Sequence, residues 1–413
     1  MFCIKLIYFS QHFPPERTAA AFRCYENAKA WIQEGIEVTV FTGYPNYPLG
    51  KIFDGYNAKL FEEERMGDVR VLRNKIMAKP NTSFFGRILN MLSFFMYGCW
   101  NIYVKGREIG RGFDVVLGTS GPIFAALLGY LFACRRHIPF IMELRDITYL
   151  QLVAVGKREN SLGVRLMKRL EIFLCGRAKM IVCVTQGFKE ILTRECGVAS
   201  DRIRVIVNGV DVEDRGIREI NASRLVLSYF GTLGISQNVA GTLQYAEVIR
   251  QYVLDFKYLI IGDGAQAIDV RRVCAEKVFV EILHGMEQEE LETYYSDTFL
   301  SVVVLRKAKE FSCTIPSKLF QTMGRGIAVL YIGPEGEAAE ILRRCGAGIV
   351  LTKSVEEDLK DLRVFFSQSD WHDKLWNMGR NGRKAALKYY SRKERAEDYL
   401  REIKICVGTD VSR

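Results

Sequence analysis

Histidine is scarce in this chain. Four occur in 413 residues, at positions 12, 137, 284 and 372. They lie far apart with no ligand spacing, so a histidine-built metal centre has no support. Cysteine is present but unorganised. The eleven thiols, at 3, 24, 99, 134, 175, 183, 196, 274, 313, 345 and 406, are odd in number and form no C-x-x-C pair. Several lie in apolar runs, as Cys183 does in Met180-Ile181-Val182-Cys183-Val184. That speaks against a disulfide framework and fits reduced, buried thiols in a cytoplasmic protein. Internal repeats and low-complexity tracts are missing. Residues 2–9 are short, hold Lys5, and read as a first strand rather than a signal peptide. No aromatic-and-basic motif of a known nucleic-acid module appears, so nucleic acid is not an expected partner.

What is present reads as a globular chain. Its length suggests two domains of roughly 200 residues each. Hydrophobic residues make up 49% and charged residues 26%, which leaves no composition bias toward disorder. The formal charge of +10 favours anionic partners such as a phosphorylated substrate or an acidic membrane surface, or else simply keeps a basic surface soluble.

Apolar, β-branched runs alternate with longer helical stretches. Candidate strands are 3–9, 37–42, 69–72, 114–118, 139–144, 180–185 and 203–207, then 224–230, 257–261, 278–283, 299–305, 327–331 and 348–351. Near-continuous apolar strands separated by helices predict parallel sheets covered on both faces, and two such series predict two doubly wound domains. The polar segment 209–215 lacks a periodic pattern and reads as a hinge. The chain ends in helix, with Ser391 as a candidate N-cap before 392–405.

The segment 314–330 carries the most information. Pro316 suits a first helical turn. Leu319, Phe320 and Met323 recur at helical spacing, Gly324 and Gly326 can end the helix, and 327–330 reads as the next strand. A helix starting at the C-terminal edge of a parallel sheet offers free N–H groups to an anion, with Ser317 and Lys318 adding a hydroxyl and a cation.

The run PSKLFQTMGRGIAVLYIGPEGEAAEIL resembles the nucleotide-sugar site of retaining glycosyltransferases with the GT-B fold, of the family 4-like branch that builds bacterial surface polysaccharides. Further pieces match in order: Phe13-Pro14-Pro15-Glu16, Thr42-Gly43-Tyr44-Pro45-Asn46-Tyr47-Pro48, Leu144-Arg145-Asp146, Val207-Asn208-Gly209-Val210-Asp211 and Tyr229-Phe230-Gly231-Thr232-Leu233-Gly234. Each piece is weak alone; the ordered set is strong. The resemblance implies an α/β GT-B architecture of two Rossmann-like domains facing a cleft. They would span 1–208 on the acceptor side and 209–390 on the nucleotide-sugar side, with a C-terminal helix at 391–413 crossing back to the first.

It also implies a site. Donor binding falls to Gly231, Thr232, Gly262, Pro316, Ser317, Lys318, Gln321, Gly336 and Glu337. Lys318 would neutralise the diphosphate leaving group. Arg145 and Asp146 would join it as catalytic residues, although the pair could equally be a structural salt bridge. Pro15, Glu16 and Arg17 fall on the acceptor side. The glycine pairs could be plain turns, and Glu340 could merely cap its helix. Thr119-Ser120 could meet the acceptor, but a helix cap is the plainer reading. The family pattern has two acidic residues where this chain has Cys313 and Gln321. The amide can bond hydroxyls but brings no charge. No cofactor or metal is implied, the nucleotide sugar being a substrate. No side chain stands out as a general base.

Residues 84–104 stand apart. No charge lies between Ile88 and Val104, while Lys79, Arg87, Lys105 and Arg107 flank the stretch. With Asn90 and Asn101 it falls short of a spanning helix. It reads either as a buried helix of the first domain or as an interfacial helix on an anionic membrane. The expected function is therefore sugar transfer from a nucleotide diphosphate, a UDP-sugar by resemblance, to a lipid-linked or saccharide acceptor. The expected place is the cytoplasm, with peripheral contact at the inner face of the plasma membrane as an extension. The alternatives are a non-catalytic sugar-nucleotide-binding protein and a UDP-sugar epimerase.

Overall fold

The computed structural model describes residues 3–16, 18–47, 50–79, 84–154, 156–212, 224–286 and 288–408. Arg17 lies outside the described residues. The chain divides into two compact units, Met1–Val207 with Lys393–Arg413, and Asn208–Arg392.

In the first unit the elements run β1 (Lys5–Phe9), α1 (Ala19–Gln33), β2 (Glu37–Gly43), β3 (Phe61–Met66), β4 (Val69–Asn74), α2 (Phe84–Val104), α3 (Gly106–Ile109), β5 (Val115–Thr119), α4 (Ile123–Arg136), β6 (Phe140–Leu144), α5 (Thr148–Ala154), α6 (Leu162–Arg177), β7 (Met180–Cys183), α7 (Gln186–Cys196) and β8 (Ile203–Val205). The second has β9 (Arg224–Phe230), α8 (Leu243–Ile249), β10 (Asp255–Ile261), α9 (Ala267–Cys274), β11 (Val280–Leu283), α10 (Gln288–Asp297), β12 (Leu300–Val304), α11 (Ser317–Gly324), β13 (Ala328–Ile332), α12 (Glu337–Cys345), β14 (Gly348–Leu351), α13 (Val355–Phe366) and α14 (Trp371–Tyr389). The last helix, α15 (Arg392–Val407), packs with the first unit from Lys393 onward.

Both sheets are wound outward from a central strand. The second has order β11-β10-β9-β12-β13-β14, parallel throughout. The first has order β3-β4-β2-β1-β5-β6-β7-β8, parallel except at β3. The near-continuous apolar strands predicted from the sequence are there because helices cover both faces and leave no room for polar side chains. Edge strand β3 is the exception, and the apolar pattern does not reveal it. Its sequence FEEERM is held by charge instead: Arg70 pairs with Glu63 at 2.7 Å and Arg73 with Glu64 at 2.7 Å across the β3–β4 hairpin. Acidic side chains on an outer strand also discourage edge pairing with another chain.

The C-terminal helix is bound into the first core. Trp31 on α1 is fully buried, lies 5.1 Å from Tyr399 in an edge-on arrangement, and donates from Nε1 to the Ala396 carbonyl at 3.2 Å. Arg204 on β8 adds a 2.7 Å ion pair to Glu402. Trp31→Ala should therefore cost about 3–5 kcal/mol. Denaturant unfolding is the measurement, and an unchanged midpoint would show that α15 does not depend on this contact.

Candidate functional site

Parallel strands deliver their C-terminal ends to one edge, and the break in strand order between β9 and β12 opens a crevice there. In the second unit that edge is built of glycine turns. The Gly231 N–H donates to the Ile261 carbonyl at 2.8 Å, and the Gly262 N–H to that of Leu283 at 3.1 Å. A Cβ at Gly262 would lie 1.9 Å from the Gly231 oxygen, so no other residue fits. The Thr232 carbonyl accepts from the Tyr229 phenol at 2.6 Å, which ties the turn back to its own strand.

Lys318 reaches into this turn from α11. Pro316 is the N-cap with an extended ψ of 132°, and Ser317 opens the helix. Leu319 and Phe320 are buried and anchor the helix against the sheet. The Leu319 N–H bonds the Pro316 carbonyl at 3.0 Å, while the remaining N–H groups of the first turn have no partner within the helix. The Lys318 ammonium lies 3.9 Å from the Tyr229 ring centre and donates to its phenol oxygen at 2.5 Å. Among the described residues no carboxylate pairs with it. Burial pushes its pKa down to about 7. A Cβ at Gly231, whose φ is +125°, would stand 2.9 Å from the Lys318 nitrogen, so the bare glycine makes room for the cation.

Two further candidates lie on the same elements. Gln321 is one helical turn beyond Ser317 and half-buried. Its carbonyl accepts from Arg325, which is itself paired with Glu292. At the start of α12, the Glu337 N–H donates to the Ser312 carbonyl at 3.1 Å, and a Cβ at Gly336 would lie 2.0 Å from that oxygen. Gly336 and Glu337 thus pack against the loop that carries Cys313. Gly231, Thr232, Gly262 and Lys318 are brought together directly. Tyr229, the platform for Lys318, was missed by sequence reasoning, because a tyrosine inside an apolar strand looks like core.

The first unit has its own polar edge. Glu16, expected to face an acceptor, is instead buried with both oxygens engaged. Oε1 accepts from the N–H groups of Asn46 (2.8 Å) and Tyr47 (2.9 Å) and from Asn46 Nδ2 (3.1 Å), while Oε2 meets His12 Nδ1 at 2.6 Å. A buried carboxylate must find such partners, and here they are the backbone of the β2 loop. Glu16 is therefore a clamp between two loops, whereas Pro15 beside it is exposed. Ser120 is likewise no helix cap: α4 starts behind Pro122 with no side-chain cap, and Ser120 Oγ accepts from the Arg145 N–H at 2.9 Å.

Arg145 and Asp146 follow β6 into a cluster of charges. Glu143, buried within that strand, accepts from the Tyr8 phenol at 2.5 Å and meets Arg23 of α1 at 3.2 Å. Burial lowers the Arg145 pKa, and the Arg23 charge lowers it further. Burial raises Asp146 to about 6, although Arg145, a Gln151 hydrogen bond and Arg23 oppose the shift. Next to it, buried Glu171 accepts from the N–H groups of Thr148 (2.8 Å) and Tyr149 (3.2 Å) and is pushed up to about 7 by burial. The sequence signal for Glu143 was available: an acid inside the apolar strand FIMEL.

Known proteins were compared with this chain. The family described as Glycosyltransferase Family 4 matches residues 20–214. No curated protein sequence matches the chain. Among solved structures, sucrose-phosphate synthase from Thermosynechococcus elongatus superposes with a TM-score of 0.74 at 13% identity, covering 98% of this chain and 100% of that one. HepE from Anabaena in complex with UDP-glucose has a TM-score of 0.65 at 13% identity, covering 97% and 100%. WaaG, a glycosyltransferase involved in lipopolysaccharide biosynthesis, has a TM-score of 0.66 at 13% identity, covering 96% and 99%. At such identities the likeness establishes the fold.

The Lys318 environment sets a pH dependence. Lys318 is charged below about 7 and loses its charge above it. Pyrophosphate binding, followed calorimetrically, should therefore weaken as pH rises through that value. Deprotonation of the ligand itself would act in the opposite direction. Lys318→Ala should remove the slope; its survival in the variant would assign it to another group. Gly231→Ala, which crowds the same nitrogen, should weaken pyrophosphate binding about tenfold, on the order of one charge-assisted hydrogen bond.

Proposed function

We propose that this chain, whose residues 20–214 belong to the glycosyltransferase family 4 domain and whose fold is GT-B, moves a sugar from a nucleoside diphosphate donor to an acceptor hydroxyl with retention of configuration. One observation carries the reading. A half-buried ammonium with no carboxylate partner among the described residues sits at the open N-terminus of α11, beside turns that only glycine can form. Such a cation lacks its anion, and a diphosphate supplies one.

In the proposed step the bond from the sugar C1 to the diphosphate oxygen breaks, and the acceptor oxygen bonds C1 on the same face. The acceptor proton passes to the leaving phosphate. Lys318, Ser317 and the first-turn N–H groups of α11 stabilise the charge that develops there, so no metal ion is needed. Pro316 fixes the helix entry. Gln321 and Glu337 would bond sugar hydroxyls, with the amide of Gln321 giving a weaker bond than a carboxylate. Asp146 and Arg145 would orient the acceptor. UDP is the favoured nucleotide because HepE, which shares the fold, was crystallised with UDP-glucose. A lipid-linked or saccharide acceptor in surface-polysaccharide synthesis is favoured by the WaaG likeness and by the motif order. Contact of residues 84–104 with an anionic membrane would bring a lipid-linked acceptor within reach.

Titration with UDP, GDP and ADP tests the reading. One nucleotide should bind, and Lys318→Ala should weaken it by about ten- to a hundredfold. If no nucleotide binds, the donor site is misassigned. With a donor in hand, Asp146→Asn should lower turnover about a hundredfold and abolish an acid limb near pH 6, since Asp146 carries charge only above that value. Unchanged kinetics in that variant would leave Asp146 with a purely structural part.

A further inference from the structure

Helix α2 carries apolar side chains on both faces. Phe94 and Ile102 are buried inward, and its uncharged polar residues point the same way. Asn90 donates from Nδ2 to Asn46 Oδ1 and accepts from Gln11 Nε2, both at 2.7 Å. Ser93 Oγ accepts from the Met77 N–H at 2.8 Å, and Asn101 donates to the Leu60 carbonyl at 3.0 Å. A second apolar set points outward: Phe85, Leu89, Leu92, Met96, Trp100 and Tyr103 recur at steps of three or four and are all exposed, Phe85 by 84%, Met96 by 69% and Trp100 by 57%. The two asparagines that weaken the helix as a spanning segment thus leave its outer face wholly apolar, a stripe roughly 27 Å long. Exposed apolar surface of this extent marks a binding face.

The face continues across two neighbouring helices. α4 lies against α2, with Phe95 and Phe124 ring centres 5.6 Å apart and Gly98 so close that a Cβ there would lie 2.3 Å from Leu128. α6 lies on the other side of α4, where Tyr130 and Phe173 meet edge-on at 5.4 Å. On α6, Leu162 is exposed by 79% and Leu166 by 65%. Charge on the three helices has one sign. Arg87, Arg135, Arg136, Arg165, Lys168, Arg169 and Arg177 are basic; the only acid is Glu171, and it is buried. Among the described residues no helix is long and apolar enough to cross a membrane.

We infer that the α2–α4–α6 face of the first unit is a docking surface for an anionic lipid bilayer, with the α2 stripe seated among the headgroups and the arginines of α6 on their phosphates. A protein partner or a second copy would ask for acceptors of charge as well as donors, whereas an apolar stripe beside basic residues, of which only Lys168 has a carboxylate partner among the described residues (Glu195 at 3.2 Å), matches a bilayer. The face is also wired to the loops of the first unit. Gln11, Asn90, Asn46, Glu16 and His12 form one hydrogen-bonded chain from α2 to the β1–α1 loop. The inference goes beyond the transfer reaction and does not require it, because docking is read without substrate.

Flotation of the full chain with vesicles tests it. The protein should float with phosphatidylcholine vesicles containing phosphatidylglycerol, release in high salt, and stay behind with phosphatidylcholine alone. Phe85→Ser combined with Met96→Ser and Trp100→Ser should lower partitioning at least about tenfold. Arg165→Glu with Arg169→Glu, on exposed positions, should lower it about thirtyfold. Circular dichroism and UDP titration on the same samples separate a lost surface from a lost fold and from a failed donor site. Equal binding to neutral vesicles, absence of binding to either, or self-association abolished by the α2 variant would overturn the assignment, the last by making the face a contact between copies.

Discussion

Parallel strands cannot be joined by tight turns, and that constraint organises both units. Each connection must cross a face of the sheet as a helix, which buries the strands on both sides and makes them apolar. Polar chemistry is then confined to the ends. In the second unit the strand ends carry the glycine turns at 231 and 262, and the α11 N-terminus brings Lys318 to them. In the first unit the corresponding ends carry Glu16, Arg145 and Asp146. The edge is polar because nowhere else in a doubly wound sheet can be.

The buried charges are treated in two different ways. Glu16 and Glu143 have their partners inside the unit, and such carboxylates hold loops and strands in place. Lys318 has an aromatic ring and a phenol, which solvate a cation without neutralising it. Its charge is therefore left without a carboxylate partner among the described residues. The two cases differ in what surrounds the ion rather than in residue type alone.

The outer helices of the first unit show the same economy turned outward. Asparagine and serine on α2 satisfy the loops beneath it, so the surface above is left apolar. Charge of one sign on α4 and α6 completes a surface whose composition, as a simple sum over the chain, is unremarkable.

Much of this was legible in the sequence. The two series of apolar runs determined two parallel sheets, since periodicity and length are local properties, and the 314–330 segment determined a helix with an anion-ready start. Ordered motifs determined the family resemblance. Other features depended on partners distant in the chain. Strand β3 escaped because its pairing energy lies in arginines on β4, not in its own apolar pattern. Glu16 read as an acceptor-side residue, while the partners that bury it lie on the β2 loop, 30 residues on at Asn46. Asn90 and Asn101 counted against a spanning helix, and only the fold shows that both face inward. The role of Lys318 was suggested by its neighbours in sequence, but Tyr229, 89 residues away, decides its environment. Local pattern determines which element forms; which face of it meets solvent, and which charge goes unpaired, is decided only by the contacts that folding creates.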